Sequence, residues 1–257
     1  MDLGIRGRTA LVAASTSGLG RAVAEALAAE GARVVVAGRR GGLAREIAAG
    51  LPEAVGVEVD LTAADGPERL VAAAREAYGD PDILVLNGPG PKPGQAAALA
   101  TDALADGLGP LLLAQQRLVA ATLPGMRERG WGRILAVGSS GVAAPLPDLA
   151  ASNAGRAALA AYLKTLAAEV AGDGVTVNLL LPGRIATDRV AALDRARAER
   201  HGRTPEEEAA ASRATIPAGR YGEPAEFGAV AAFLCSAGAS YVTGTALRCD
   251  GGLVRAL

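Results

Sequence analysis

A run of small residues near the N-terminus has the composition of a loop that wraps around phosphate. The run reads Ser15-Thr16-Ser17-Gly18-Leu19-Gly20; it follows an apolar stretch, 9–13, and opens an Ala-rich stretch, 18–30. A strand, a tight turn and a helix in this order aim backbone N–H groups and the positive end of the helix at a pyrophosphate. The pattern therefore predicts a dinucleotide-binding turn, and the alternative is an ordinary tight strand-to-helix turn.

Two adjacent arginines follow the second apolar stretch, 33–37. An acid at the end of this strand would hold the ribose 2′-hydroxyl of NAD. Arg39 and Arg40 suit a 2′-phosphate instead, because guanidinium binds phosphate through paired, charge-assisted hydrogen bonds. We therefore predict a site for NADP(H), and the alternative is a pair of surface arginines.

The composition excludes several classes of protein. A length of 257 residues fits one large α/β domain, and a formal net charge of −1 gives no broad field that would attract nucleic acid or an anionic membrane. No apolar run reaches the ~18 residues of a spanning helix and no signal peptide is recognisable, so a cytoplasmic protein is expected. Cys235 and Cys249 are too few for a disulfide framework, and no Cys/His spacing suits a metal. The lone His201 lies in a polar stretch and is expected to be solvated.

Strand-like and helix-like stretches alternate along the chain. The predicted strands cover residues 9–13, 33–37, 54–59, 83–86, 133–137, 175–181 and 246–249, and the predicted helices cover 18–30, 41–49, 67–78, 101–129, 149–171 and 224–236. Near-continuous Val, Ile and Leu runs are typical of strands covered on both faces, and the repeated βαβ order implies right-handed crossovers. We predict an α/β fold: a doubly wound, seven-stranded parallel sheet of the Rossmann type, in three layers, as a single domain over residues 1–257.

One irregular, charged region, residues 184–220, follows the sixth predicted strand. It begins at the carboxyl edge of the sheet, where ligands bind in open α/β folds. We predict that it covers the substrate, and the alternative is a solvated pair of helices.

Further motifs follow the later strands. They are Asp60-Leu61 after the third strand, Asn87-Gly88 after the fourth, Ser139 after the fifth, the segment with Pro182, Gly183, Ile185 and Thr187 after the sixth, and a C-terminal run from Arg220 to Gly252. Together with residues 15–20 they resemble, in the same order, the motifs of the short-chain dehydrogenase/reductase family over essentially the whole chain. The resemblance implies that Asp60 and Leu61 contact the adenine and that the segment ending at Thr187 holds the nicotinamide carboxamide. In the alternative, Asp60 is an acid at a helix start, and Thr187 also fits a helix N-cap.

The chain departs from the family at the catalytic helix. The family uses Asn, Ser, Tyr and Lys: Tyr exchanges the proton, Lys lowers the Tyr pKa and holds the ribose, Ser polarises the carbonyl, and Asn anchors a water relay. Aligning Ala-Ser-Asn-Ala with the family's Ala-Ser-Lys-Ala places Leu149 at the Tyr position and Asn153 at the Lys position, while the Asn position falls at Leu111. Of the four residues only Ser139 remains. Asn153 can still bind ribose hydroxyls, but it carries no charge.

Other residues are candidates for the missing functions. The pair Tyr162 and Lys164 is spaced by two residues rather than four, which argues against a shifted register. Arg156 follows Asn153 on the same helix face and could bind a substrate carboxylate or a developing oxyanion, or it could be a surface or interface arginine. Lys92 and Asp148 could donate a proton if their pKa values were perturbed, and otherwise they are a solvated lysine and a helix N-cap.

The residues therefore predict an NADP(H)-dependent oxidoreductase that acts on a carbonyl/alcohol pair, with Ser139, Asn153 and Arg156 as candidate catalytic residues. Hydride transfer needs only nicotinamide and an oriented carbonyl. Two alternatives stay open: a non-redox enzyme such as a dehydratase, isomerase or cyclase, and a catalytically silent NADP(H)-binding protein. The long predicted helices carry apolar residues on more than one face, which favours a homo-oligomer, a tetramer before a dimer.

Overall fold

The computed structural model describes residues 2–255 of the chain. Within them seven strands form one sheet, and every neighbouring pair of strands is parallel. The strands are β1 (Thr9–Val12), β2 (Arg33–Gly38), β3 (Ala54–Glu58), β4 (Ile83–Leu86), β5 (Gly132–Val137), β6 (Val175–Pro182) and β7 (Ala246–Cys249). The predicted fold class, a doubly wound parallel sheet of the Rossmann type in three layers, is confirmed.

Helices follow the strands and cover both faces of the sheet. They are α1 (Gly18–Ala29), α2 (Gly41–Ala49), α3 (Gly66–Tyr78), α4 (Thr101–Leu108), α5 (Ala114–Glu128), α6 (Ala150–Val170), α7 (Asp188–His201), α8 (Pro205–Ala214) and α9 (Pro224–Leu234). Residues along each strand alternate between two cores because successive side chains point to opposite faces. Leu11 packs into the core under α3, α5 and α6, and Val12 packs into the core under α1, α2 and α9.

The strand order β3-β2-β1-β4-β5-β6-β7 reverses between β1 and β4. The chain leaves β1 toward one edge of the sheet and returns at β4 to build toward the other edge. The loops after these two strands therefore diverge and leave a crevice at the carboxyl edge, which is where open α/β sheets bind ligands.

The helix predicted over residues 101–129 is present over Thr101–Glu128, but it is not a regular α-helix throughout. The chain forms α4, then a π-helical turn over Gly109–Leu113, then α5. Pro110 has no backbone N–H to donate into a regular helix, which favours an irregular turn here. Leu111 in this turn is buried and packs against Gly155 of α6, where a Cβ would approach the Leu111 side chain to 2.9 Å.

Residues 184–220 contain α7 and α8. Thr187 caps α7 by accepting a hydrogen bond from Val190 N, and Thr204 with Glu207 forms a capping box at α8. The segment is tied back to the sheet through Arg184, which donates to Asp194 of α7 at 2.7 Å, while Tyr221 donates to the same carboxylate at 2.7 Å. Across residues 2–255, no helix has the length and apolarity needed to cross a bilayer.

Candidate active site

A cleft of about 1130 Å³ opens at the carboxyl edge of the sheet, over the point where the strand order reverses. Its walls come from the turn after β1, the loops after the next five strands, the first turns of α6, and the helices α7 and α8. Single-ligand pockets usually measure about 300–1,000 Å³, so this cleft has room for a large ligand and a small second one. Most of the predicted binding residues line it: Thr16, Ser17, Gly18, Leu19, Arg39, Arg40, Asp60, Leu61, Asn87, Gly88, Pro182, Gly183, Ile185 and Thr187.

The turn after β1 is shaped by close backbone approach. Gly18 has φ +54° and Ala14 has φ +48°, so both lie in the left-handed region. A Cβ on Gly20 would come within 2.5 Å of the Ala14 carbonyl oxygen and within 2.6 Å of Asn87 Nδ2. The start of α1 therefore sits against the loops after β1 and β4, and Ser17, Gly18 and Leu19 at this helix start line the cleft, where a phosphate site is expected.

Two predicted cofactor residues, Ser15 and Gly20, are not among the residues that line the cleft. The Ser15 hydroxyl donates to Val12 O at 2.7 Å and accepts from Ala37 N at 2.9 Å, which fastens the turn to β2. Its side chain is fully buried. Ser15 and Gly20 thus stabilise the turn through contacts with the protein and not through the cleft surface.

The two arginines after β2 both line the cleft. Arg40 donates to the carbonyl and hydroxyl oxygens of Thr16, at 3.3 and 3.4 Å, so its side chain lies over the turn. Arg39 is exposed at the cleft rim, and its charge acts on Asp60 across the cleft. The hydrogen bonds from the Thr62 backbone and side chain, and then the Arg39 charge, hold the pKa of Asp60 below its ordinary value.

Asp60 makes a local turn with one of its oxygens. Its Oδ1 accepts from Thr62 N at 2.9 Å and from Thr62 Oγ1 at 2.7 Å, in the segment that leads to the start of α3 at Gly66. The second oxygen has no protein partner within residues 2–255 and belongs to the cleft lining. Both parts of the sequence interpretation, a structural acid and a contact for a ligand, are compatible with this arrangement.

The loop after β4 is held by its amide groups. Asn87 donates through Nδ2 to Ala14 O at 3.1 Å, which joins this loop to the turn after β1. Gln115 of α5 donates to the carbonyl oxygens of Asn87 and Pro110, at 3.3 and 2.8 Å. The chain at Gly88 therefore passes close to α5, and a Cβ there would lie 3.1 Å from Gln115 Nε2.

Ser139 reaches the cleft directly from the end of β5. Its Oγ accepts a hydrogen bond from Gly141 N at 3.0 Å. This bond uses a lone pair and leaves the hydroxyl proton available to a ligand. Ser139 is therefore poised to donate to a carbonyl oxygen.

Leu149 lies at the N-cap of α6 and also lines the cleft. The segment before it is fixed against the loop after β4, since Gly94 N donates to Asp148 O at 2.7 Å and Ala150 N donates to Gly94 O at 3.2 Å. Leu149 thus presents an apolar surface to the cleft near Ser139. It has no group that can exchange a proton.

Asn153 is used within the protein. Its amide donates to Leu146 O at 2.8 Å and accepts from Leu146 N at 3.3 Å, and Asn153 is not among the cleft-lining residues. A Cβ on Gly141 would come within 2.6 Å of Asn153 Oδ1, so the amide is packed tightly under the loop. Asn153 positions the loop between β5 and α6, and its predicted contact with a ribose stays a prediction.

Arg156 is the cation that faces the cleft from α6. Its Nη1 donates to Val137 O at 2.8 Å and to Gly138 O at 3.1 Å, so the side chain leans back toward the N-terminus of α6 and the end of β5. Burial, and then the charge of Arg189, lower the pKa of Arg156 to about 10. The guanidinium still carries its charge at neutral pH.

The remaining candidates lie elsewhere. Lys92 is exposed and does not line the cleft. Asp148 is not the N-cap of α6; it precedes Leu149 with φ +59°, and its carboxylate accepts from Arg200 of α7 at 2.6 Å. Tyr162 packs on the core and Lys164 donates to Gly244 O, so this pair faces away from the cleft.

Several cleft residues carried no signal in the sequence. They include Leu146, Ser152, Arg189, Val190, Leu193 and Arg197. Arg189 is the most informative, because it extends from α7 to donate to Pro91 O at 3.1 Å and lies 3.3 Å from the space where a Gly90 Cβ would be. The charged composition of residues 184–220 pointed to the segment, but not to the side chain that crosses the cleft.

Comparison with known proteins gives consistent matches over the whole chain. A family model described as Enoyl-(Acyl carrier protein) reductase matches residues 13–254. The chain is 33% identical to 3-oxoacyl-(acyl-carrier-protein) reductase FabG of Haemophilus influenzae, over 97% of this chain and 99% of that protein. It is 35% identical to a putative ketoacyl reductase of Streptomyces coelicolor, over 95% of this chain and 96% of that protein.

Solved structures with the same fold contain a nicotinamide cofactor. L-sorbose reductase from Gluconobacter frateurii, complexed with NADPH and L-sorbose, superposes with a TM-score of 0.94 at 32% identity and covers 100% of each chain. Actinorhodin polyketide ketoreductase with NADPH superposes with a TM-score of 0.90 at 34% identity, covering 96% of this chain and 97% of that one.

Proposed function

Because the chain belongs to the short-chain dehydrogenase/reductase family, we propose that it is an NADP(H)-dependent oxidoreductase that works without the family's Tyr and Lys. Its reaction is hydride transfer between nicotinamide and a carbonyl/alcohol substrate. The observation that carries the proposal is a cleft at the switch point that combines a phosphate turn with two rim arginines and a serine whose hydroxyl proton is free.

The residues of the cleft fit an NADP(H) molecule. The turn over residues 14–20 leaves no room for a Cβ at Gly20, which packs the start of α1 closely against the loops after β1 and β4, as in dinucleotide-binding turns. Arg39 and Arg40 supply the charge that a 2′-phosphate requires, and no acid follows β2. Asp60, Leu61, Asn87 and Gly88 would hold the adenosine and the adjoining ribose, and Pro182, Gly183, Ile185 and Thr187 would hold the carboxamide.

NADP(H), when bound, supplies or accepts the hydride. Ser139 donates a hydrogen bond to the substrate carbonyl oxygen and so fixes the face that is presented. Leu149 shields the same space from bulk water. The proton comes from water or from a donor on the substrate, because a leucine cannot supply it. General acid catalysis is worth roughly 10²–10⁴-fold, so its loss slows hydride transfer without abolishing it.

The first test is a titration of the protein with NADPH and NADH, followed by nicotinamide fluorescence. We expect NADPH to bind more tightly than NADH. Arg39→Ala should weaken NADPH by about 10–100-fold, the worth of a charged hydrogen bond, and leave NADH unchanged. Arg45→Ala is the matched control, since Arg45 is an exposed arginine of α2 that does not line the cleft. Absence of NADPH binding would overturn the proposal.

The second test separates redox chemistry from the alternatives. A panel of ketones, aldehydes and alcohols is screened by absorbance at 340 nm with wild type and Ser139→Ala. Turnover that falls in the variant supports the proposal. Product formation without net change of nicotinamide would favour a dehydratase, isomerase or cyclase, for which the apolar Leu149 is a specific observation. Binding without turnover, insensitive to Ser139→Ala, would favour a silent binding protein.

Two proposals concern the surroundings of the site. Residues 184–220 act as the substrate cover, which is supported by the α7 and α8 side chains in the cleft wall. The protein forms a homo-oligomer, a tetramer before a dimer, which is supported by exposed apolar side chains such as Leu113 and Phe233. Light scattering that gives a monomer mass would contradict the second proposal.

A further inference from the structure

Arg156 lines the cleft, is largely desolvated and has no acidic partner within residues 2–255. Arg184 is neutralised by Asp194 at 2.7 Å. Within residues 2–255, the one charged group that shifts the pKa of Arg156 is a second cation, Arg189, which lowers it. A desolvated arginine without a counter-ion is costly, and proteins keep such groups where a ligand supplies the missing charge.

The guanidinium is fixed with one edge unused. Both hydrogen bonds of Arg156 to protein come from Nη1, which donates to Val137 O and Gly138 O. Nε and Nη2, which together form one edge of the planar group, have no partner among the described residues. Neither of these atoms is sealed from solvent, because neither belongs to the buried polar atoms that lack a partner. This open edge has the spacing that binds a carboxylate through two parallel hydrogen bonds.

The surroundings of this edge favour an anion. Ser139, Ser140 and Ser152 offer hydroxyl groups in the same wall, and Leu146 and Leu149 add apolar surface to it. Of the acids that line the cleft, Glu208 is paired with His201 and Arg203, Asp60 is hydrogen-bonded to Thr62, and Asp188 is exposed at the start of α7. Arg189 adds positive charge from the side of α7, where its Nη2 donates to Pro91 O.

We propose that Arg156, assisted by Arg189, forms a carboxylate-binding subsite, so that the substrate is an oxo acid or the corresponding hydroxy acid. This inference rests on the proposed function and names the substrate class of the same site. Arg156 holds the carboxylate while Ser139 holds the neighbouring carbonyl oxygen. Two fixed contacts orient the carbonyl carbon, which contributes to the rate in a site that lacks the usual proton donor.

The test uses unreactive probes, so that it does not depend on turnover. The wild-type protein, alone and saturated with NADPH, is titrated by calorimetry with oxamate, which carries a carboxylate, and with oxamide, its neutral counterpart. We expect oxamate to bind at least about 10-fold more tightly than oxamide. Equal affinities, or a phosphate monoester that binds more tightly than oxamate, would overturn the proposal.

Variants locate the site. Arg156→Met should weaken oxamate by about 10–100-fold and NADPH by less than about threefold. Arg156→Lys keeps the charge but not the planar edge, so its affinity for oxamate should fall by about 10-fold. It also tests the proposal if the Met variant fails to fold. Arg189→Met should cause a smaller loss. Arg195→Met is the control, since Arg195 is exposed on α7 and does not line the cleft.

Two outcomes separate this inference from its premise. If Arg156→Met weakens NADPH as much as oxamate, Arg156 holds the cofactor in place of the family lysine, and the subsite proposal fails while the proposed function stands. If NADPH does not bind but oxamate binds the protein alone and is lost in Arg156→Met, the proposed function fails and the subsite stands.

Discussion

The turn after β1 and the first turns of α6 face the same cleft, yet they differ in how they relate to the family pattern. In the turn, glycine is retained where a side chain would collide with backbone, as at Gly20. On α6, the sequence alignment predicts that Leu149 and Asn153 stand at the family's Tyr and Lys positions, and the Asn153 amide is bound to Leu146. We infer that the binding half follows the family pattern, while the catalytic half departs from it at these two side chains.

The difference reflects how each region works. A phosphate site is made of backbone N–H groups, so nearly any side chain at the wrong position blocks it. A proton relay is made of side chains on a helix, so it can be lost without disturbing the backbone that carries it. The helix here has gained other contacts: Arg156 reaches the end of β5, and Asn153 holds the loop before α6.

The largest expected effect comes from restoring the family pair. Leu149→Tyr combined with Asn153→Lys should raise turnover of a carbonyl compound that the wild type reduces, by up to about 10²–10⁴-fold, because a proton donor is restored next to Ser139. The change is measured as kcat from absorbance at 340 nm.

The control for the restored pair is Leu149→Phe with Asn153→Lys, which adds the same ring without its hydroxyl. We expect no gain from it, and Asn153→Lys should lower thermal stability in both variants because Leu146 loses its amide partner. Equal turnover in the Tyr and Phe variants would mean that the wild type already has an effective proton donor.

The next effect tests the rigidity of the binding half. Gly20→Ala should destabilise the protein by about 1–3 kcal/mol, because the new Cβ meets Ala14 O and Asn87 Nδ2, and NADPH affinity should fall with it. Thermal unfolding measures the loss of stability, and fluorescence titration measures the NADPH affinity. Gly42→Ala is the control, since Gly42 lies in α2 with no atom within 4 Å of an added Cβ, and alanine favours a helix. Similar melting temperatures for both variants would contradict the prediction.

A smaller effect is expected at a residue of the turn after β1 that has a left-handed backbone conformation. Ala14 has φ +48°, a conformation that costs an alanine roughly 1–2 kcal/mol, and glycine recovers this at an entropic cost of about 0.5–1 kcal/mol. Ala14→Gly should therefore stabilise the protein by about 0.5–1 kcal/mol in urea unfolding. Ala13→Gly, at a fully buried neighbour outside the left-handed region, should destabilise it. If Ala14→Gly lowered the free energy of unfolding and Ala13→Gly raised it, Ala14 would carry no strain in this turn.

The smallest effect concerns the contact between α7 and the segment before α6. Arg200→Ala breaks an ion pair with Asp148 whose side chains are 50% and 30% exposed, so the loss should be less than about 1 kcal/mol and should shrink in high salt. Asp148→Asn is the matched variant, because asparagine tolerates the φ of +59° and lacks the charge. A double-mutant cycle in urea unfolding measures the coupling. A coupling energy above about 2 kcal/mol would contradict the prediction, because it would mean that this ion pair contributes strongly to holding residues 184–220 in place.

Much of the fold could be predicted because its signals are local. Val-rich stretches and the small-residue turn marked the strands and the switch point, and β4 and β7 have the predicted bounds. The π-helical turn at Gly109–Leu113 was not predicted: Pro110 disfavours a regular helix there, but the form of the turn also depends on the packing of Leu111 against Gly155, which lies far away in the chain. The alternative in which Asp148 caps α6 failed for a similar reason, since Arg200 and Gly94 hold Asp148 in another arrangement.

By itself the sequence determined the sheet and the arginines after β2, and it predicted the phosphate turn and the replacement of the family's Tyr and Lys, because these follow from residue types and short spacings. Only the tertiary structure decided what the replacing side chains do. Asn153 contacts Leu146, Ser15 turns toward β2, and Arg156 keeps one edge open to the cleft beside Arg189. The physical reason is that a side chain selects its partner by distance and direction in space, and packing between distant elements sets both.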